Sequence, residues 1–211
     1  MTARTLVKVC GITRLEDARA ALEAGADWLG IVLSGGGPRV VDPAQARAIV
    51  AAVDGATVVA VMVAPTPDEA LDLARRAGAT RVQLHRVDAA TWPADFPLPV
   101  AVSVPVAGDG ALTEPLPPAH QLVLLDTADA RLAGGTGRTF PWEAARIVAA
   151  TRPVLLAGGL AHDNVADAVR AVRPFGVDAS SRLESAPGIK DPERVRRYVA
   201  AVRECDAGRD D

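Results

Sequence analysis

The sequence predicts an α/β protein, a single closed (β/α)8 TIM barrel over residues 1–204 followed by a polar tail at 205–211. Three observations predict it. Eight short runs rich in Val, Leu and Ile recur along the chain, Ala- and Arg-rich segments of helical period separate most of them, and no shift in composition divides the 211 residues. Strands that are apolar throughout are buried on both faces, as in a parallel sheet covered by helices. Eight such units suit a closed barrel. An open, doubly wound sheet is the alternative.

In chain order the strands are expected at 6–10, 28–33, 57–63, 81–84, 100–104, 121–126, 154–157 and 176–179. Helical periodicity falls at 15–24, 43–53, 67–77, 141–150, 164–172 and 192–202. Asp42-Pro43, Asp163-Asn164 and Asp191-Pro192 read as helix starts, since a short polar side chain caps free amides and Pro suits the first turn. Gly25 and Gly78 stand where a left-handed C-terminal cap favours glycine. Segments 91–99 and 105–118 are Pro-rich and are expected to be irregular rather than helical.

The composition excludes several function classes. Apolar residues make up 49% and charged residues 23%, with a net charge of −3, which gives no reason to expect nucleic acid or an anionic membrane as partner. Neither a signal segment nor an apolar run of membrane-spanning length is seen. Cys10 and Cys205 lie far apart without CxxC partners, so free thiols in a reducing cytoplasm are expected. No metal-ligand spacing occurs.

In a barrel of this kind chemistry sits on the loops after the strands. The first strand ends in Lys8-Val9-Cys10-Gly11-Ile12-Thr13, presenting a thiol, a glycine and a hydroxyl; strand alternation puts Lys8 on the same side as Cys10. Later loops carry Ser34-Gly35-Gly36-Gly37-Pro38-Arg39, Gln83 and His85, then Asp126 with Gly134-Gly135-Thr136-Gly137. Gly158-Gly159 and Asp178, Ser180, Ser181 and Arg182 complete the set. Each has a plainer use: a buried thiol, a capping Asp, a surface Arg, a tight turn.

Taken together these motifs resemble the phosphoribosylanthranilate isomerase family. The resemblance runs through Lys8 to Thr13, Pro38-Arg39-Val40, Val82-Gln83-Leu84-His85, Leu125-Asp126, Ala157-Gly158-Gly159-Leu160, Ser180-Ser181, Glu184 and Pro187-Gly188-Ile189-Lys190-Asp191, covering nearly the whole chain. It implies a cofactor-free, metal-free Amadori rearrangement of a small phosphorylated substrate in tryptophan biosynthesis, by a monomer or homodimer. By position it makes Cys10 the general base, Asp126 the general acid and Arg39 the contact for the aromatic carboxylate. Gln83, His85 and Asp178 are expected at the substrate, and Gly135, Gly158, Gly159, Ser180, Ser181 and Arg182 around its phosphate.

The chemistry asks for a thiol that ionises and a carboxyl that stays protonated near neutrality. Nearby positive charge is expected to lower the first, and apolar burial to raise the second. The chain departs from the family pattern at Arg86, Gly37 and Arg182, the last standing where a glycine is usual. Arg182 can add a paired phosphate contact, point to solvent or pair with Glu184. An isomerase shifted to another aminoaldose phosphate, or a non-catalytic relative, is the alternative.

Overall fold

A computed structural model describes residues 4–128 and 140–208. Its eight barrel strands are β1 (Leu6–Cys10), β2 (Trp28–Val32), β3 (Thr57–Val63), β4 (Arg81–His85), β5 (Val100–Val106), β6 (Leu122–Thr127), β7 (Val154–Leu156) and β8 (Gly176–Ala179). They pair in chain order, all parallel, and β8 returns to β1 with Lys8 opposite Asp178. Closure decides the fold: a barrel, not an open sheet. The helices are α1 (Leu15–Glu23), α2 (Pro43–Ala51), α3 (Pro67–Ala77), α4 (Trp142–Ala149), α5 (Val165–Val172) and α6 (Pro192–Ala207). Among the described residues none is long and apolar enough to cross a membrane.

The helix starts follow the sequence with one exception. Asp42 accepts from the amides of Ala44 and Gln45, Asp191 does the same for Glu193 and Arg194, and Thr66 forms a reciprocal capping box with Glu69. Asn164, expected as a cap, donates no such service to α5. Its side chain instead accepts from Ala161 N at 2.8 Å and donates to Gly159 O at 3.0 Å, bracing the glycine loop after β7.

Two boundaries differ from expectation in ways that matter for the site and its closure. The last helix continues to Ala207, into the expected polar tail, because Cys205 is buried and Asp206 accepts from the amide and hydroxyl of Thr5 at 3.0 and 2.7 Å. β5 runs through Pro105, which lies opposite Asp126, although the segment from 105 was expected to be irregular. Among the described residues no helix lies between β4 and β6, as the Pro-rich segments suggest. A small hairpin, β9 (Glu184–Ala186) with β10 (Ile189–Lys190), sits between β8 and α6 and was not foreseen.

The core has two shells. The larger lies between sheet and helices. The smaller lies inside the barrel, with Trp28, Val59, Leu124 and Leu155, and reaches Ala157 at the cavity of the C-terminal end. The Arg81 guanidinium stacks 4.6 Å from the Trp28 ring centre, and Phe175 packs against the same indole. That plug leaves the C-terminal end open.

Candidate active site

The open end holds a cavity of about 310 Å³, within the range of small-molecule sites. It gathers Cys10 from β1, Arg39 from the β2 loop, Gln83 and His85 from β4, and Asp126 from β6. Gly158 and Gly159 follow β7, and Asp178, Ser180, Ser181 and Arg182 lie on or after β8. Every expected site residue among the described ones therefore faces one space. Gly135 lies outside the described residues. Among the described residues no cluster of His, Cys, Asp or Glu is placed to hold a metal ion.

Strand alternation sends Lys8 and Cys10 inward together. Gly30, directly across on β2, makes room for both: a methyl there would stand 2.7 Å from Cys10 Sγ and 3.0 Å from Lys8 Nζ. Lys8 is fully buried and donates to Asp178 Oδ2 at 2.8 Å. Burial opposes its charge, but Asp178 and Cys10 more than compensate and hold the ammonium protonated.

The thiol does not behave as expected. Burial pushes Cys10 above its ordinary 9.0, and the attraction of Lys8 only partly offsets it, with Asp178 adding repulsion. The positive charges of Lys8 and, more weakly, Lys190 do pull the thiol down, but burial outweighs them. Both Cys10 and Cys205 are free.

Asp126 does behave as expected. It is half-buried at the end of β6, and its Oδ1 accepts from Thr127 N at 2.8 Å. Burial, then repulsion from Asp178, lifts its carboxyl from 3.8 to about 6, against smaller contributions from the Thr127 amide and Lys8. Gly158 keeps the space beside it clear. With φ at +89°, it is in the left-handed region, and a side chain there would run into Thr127 and approach Asp126 Oδ1 to 3.2 Å.

His85 is neutral near pH 7. Burial, then the charges of Lys8 and Arg86, lower it to about 4. Its Nε2 lies 2.9 Å from Gln83 Nε2, so it accepts from the carboxamide and carries its own proton on Nδ1. Gln83 Oε1 is buried without a protein partner among the described residues, which suits a donor on a bound molecule.

Arg39 forms a two-pronged ion pair with Glu184, and Lys190 shares that carboxylate. Neither Glu184 nor Lys190 was counted among the expected site residues. Both stand in the stretches that carry the family resemblance, and Lys190 is one of only two lysines in the chain. Arg182 neither pairs with Glu184 nor swings free. It donates to Gly159 O at 3.1 Å and to Asp163 Oδ2 at 2.6 Å, tying the eighth loop to the seventh.

A family model described as N-(5'phosphoribosyl)anthranilate (PRA) isomerase matches residues 7–201. The chain belongs to this family. A relative from Halorhodospira halophila named N-(5'-phosphoribosyl)anthranilate isomerase is 40% identical over 206 residues, covering 96% of this chain and 99% of the relative. Among solved structures, the phosphoribosyl anthranilate isomerase of Thermus thermophilus superposes with a TM-score of 0.79 at 34% identity, over 95% of this chain and 99% of that one. Another structure of the family, in complex with reduced 1-(o-carboxyphenylamino)-1-deoxyribulose 5-phosphate, gives 0.76 at 29% identity with the same coverage.

Proposed function

We propose that this chain is a phosphoribosylanthranilate isomerase, converting N-(5'-phosphoribosyl)anthranilate to 1-(o-carboxyphenylamino)-1-deoxyribulose 5-phosphate in tryptophan biosynthesis. Family membership across the barrel supports the activity. The observation that carries the chemistry is Asp126, a carboxyl held near 6 in the same cavity as the Cys10 thiol. Asp126 protonates the furanose ring oxygen, and the C1–O bond breaks to give an iminium cation. Cys10, as thiolate, removes the C2 proton, and the resulting enolamine tautomerises to the ketose. A positioned acid and base contribute about 10²–10⁴-fold each.

The resting charges explain why substrate takes part in this cycle. With Asp126 raised to about 6 and burial pushing the Cys10 thiol up, the free protein seldom carries the protonated acid and the thiolate at once. The iminium formed after ring opening places a positive charge in the cavity and draws the thiol toward its ionised form. Arg39 receives the aromatic carboxylate as a charge-assisted hydrogen-bond donor. Gln83 and neutral His85 contact the polar groups of the ribose chain. The phosphate lies among Gly158, Gly159, Ser180 and Ser181, with Arg182 holding the two loops together.

The partners proposed are the small phosphorylated substrate and, at most, a second copy of this chain; light scattering distinguishes monomer from homodimer. A cytoplasmic location is part of the proposal, supported by two buried, unpaired cysteines. Purified protein mixed with freshly prepared phosphoribosylanthranilate should speed the decay of the substrate's fluorescence. No acceleration over buffer would refute the assignment.

A further inference from the structure

Arg39 is held on one edge before any substrate arrives. Its Nε and Nη2 both donate to Glu184 at 2.8 Å, and the Glu184 side chain is only 4% exposed. The same carboxylate accepts from Lys190 Nζ at 2.8 Å. Lys190 is itself buried, and its ammonium reaches the carbonyl of Ser180 at 3.2 Å and the hydroxyl at 3.4 Å. One carboxylate thus serves two cations. A buried carboxylate persists in such a place when its oxygens are fully engaged, and here both oxygens are taken by Arg39 and one is shared with Lys190.

The absence of a side chain at Gly11 leaves room for this arrangement. Arg39 Cδ and Lys190 Nζ lie 2.8 and 3.5 Å from the point that a side chain on Gly11 would occupy. Gly11 follows Cys10 directly, so the chain carrying the thiol passes beside the triad. Among the guanidinium nitrogens, Nη1 is the one that Glu184 does not hold. A planar guanidinium fixed along one edge can offer the other in a single orientation, and such preorganisation is what a bound reactant requires.

We infer that Glu184 is the positioning residue for Arg39: it fixes Nε and Nη2 so that the Nη1 edge meets the substrate's aromatic carboxylate. Through Lys190 the same carboxylate sets that edge at a fixed place relative to the Ser180 loop, where the phosphate lies. The triad therefore gauges the span between the two anionic ends of the substrate. This rests on the proposed role of Arg39 as the carboxylate contact.

The test is a double-mutant cycle of E184Q and R39A, measured on phosphoribosylanthranilate and on its decarboxylated analogue, phosphoribosylaniline. Gln keeps the shape but loses the charge and turns an N–H toward one of the cations. E184Q should lower kcat/KM for the carboxylated substrate about tenfold, within the coupling expected for contacting residues, chiefly through KM. In the R39A background the same change should leave kcat/KM within twofold, and on the decarboxylated analogue it should do little in either background. An undiminished E184Q effect in R39A would show a general structural role and overturn the inference while leaving Arg39's role intact. If R39A itself spares the carboxylated substrate, the role of Arg39 falls and the inference with it. Should E184Q fail to fold, E184D completes the cycle: it keeps the charge, but is too short to hold Lys190 and both Arg39 nitrogens.

Discussion

Replacing Asp126 by Asn should make the protein more stable at alkaline pH and far less active. In the native protein this carboxyl titrates at about 6 instead of 3.8. Between those values the folded state keeps a proton that the unfolded chain has released, so stability is greatest below the window and falls as pH rises through it. The displacement corresponds to about 3 kcal/mol once the group is fully ionised. Asn retains an oxygen for the Thr127 amide, which now donates to Asp126 Oδ1 at 2.8 Å, but it brings no charge into the cavity. The variant's advantage should be small at pH 4 and larger by about 2 kcal/mol at pH 8. Urea unfolding at several pH values reads this as a midpoint shift of about 1 M. In the same variant kcat should fall at least about 10²-fold, since the amide supplies no proton. A stability difference that does not change with pH would refute the burial account of Asp126. Full turnover by the Asn variant would refute its role as acid.

Cys10→Ala should reduce kcat by about 10² or more with little change in KM; turnover close to wild type would move the base elsewhere. The pH–rate profile of the wild type should be a bell with its acidic limb near 6 and its alkaline limb above the ordinary thiol value of 9.0. Its limbs report the interacting pair, and an alkaline limb well below 9.0 would contradict the buried, raised thiol. Gly30→Ala puts a methyl into the space used by Cys10 Sγ and Lys8 Nζ, so thermal unfolding should register a loss of about 1–3 kcal/mol, with kcat affected more than KM. Lys8→Met strands Asp178 without its partner and should cost about 3–5 kcal/mol. Adding Asp178→Asn to that variant should recover most of the loss, and no recovery would argue that Lys8 acts through something other than this pair.

Much of the fold was legible because each strand is buried on both faces, so its apolar run stands out without any need for alternation. The hairpin of Glu184–Ala186 with Ile189–Lys190 was not, since three residues and two residues carry no period. Only the Pro187-Gly188 turn marked it. The site residues were legible from their positions at strand ends, but not their charges. Lys8 can be placed beside Cys10 from alternation alone. That Asp178 neutralises it depends on the register between the first and last strands, which local sequence does not encode. The partner of Arg39 escaped for a similar reason: 145 positions separate it from Glu184. Asn164 reads as a cap because a polar residue before a helix commonly serves as one, whereas here the adjacent glycine loop offers a competing carbonyl and amide.

The bonds that pin the last helix to the first strand bear on how the chain reaches its native state. Asp206 holds Thr5 across 201 positions, and Arg203 donates to Thr5 O and Gly25 O from the same helix. The seam of the barrel is thus tied down by a helix that is synthesised after all eight barrel strands. During synthesis the first strand waits with an unpaired edge while the others form, and such an edge invites association with other chains. Contacts so distant in sequence also slow the closing step. A nascent chain stalled before residue 192 would lack α6 altogether and expose β1 and α1, making it a target for chaperones and proteases rather than a partly working enzyme.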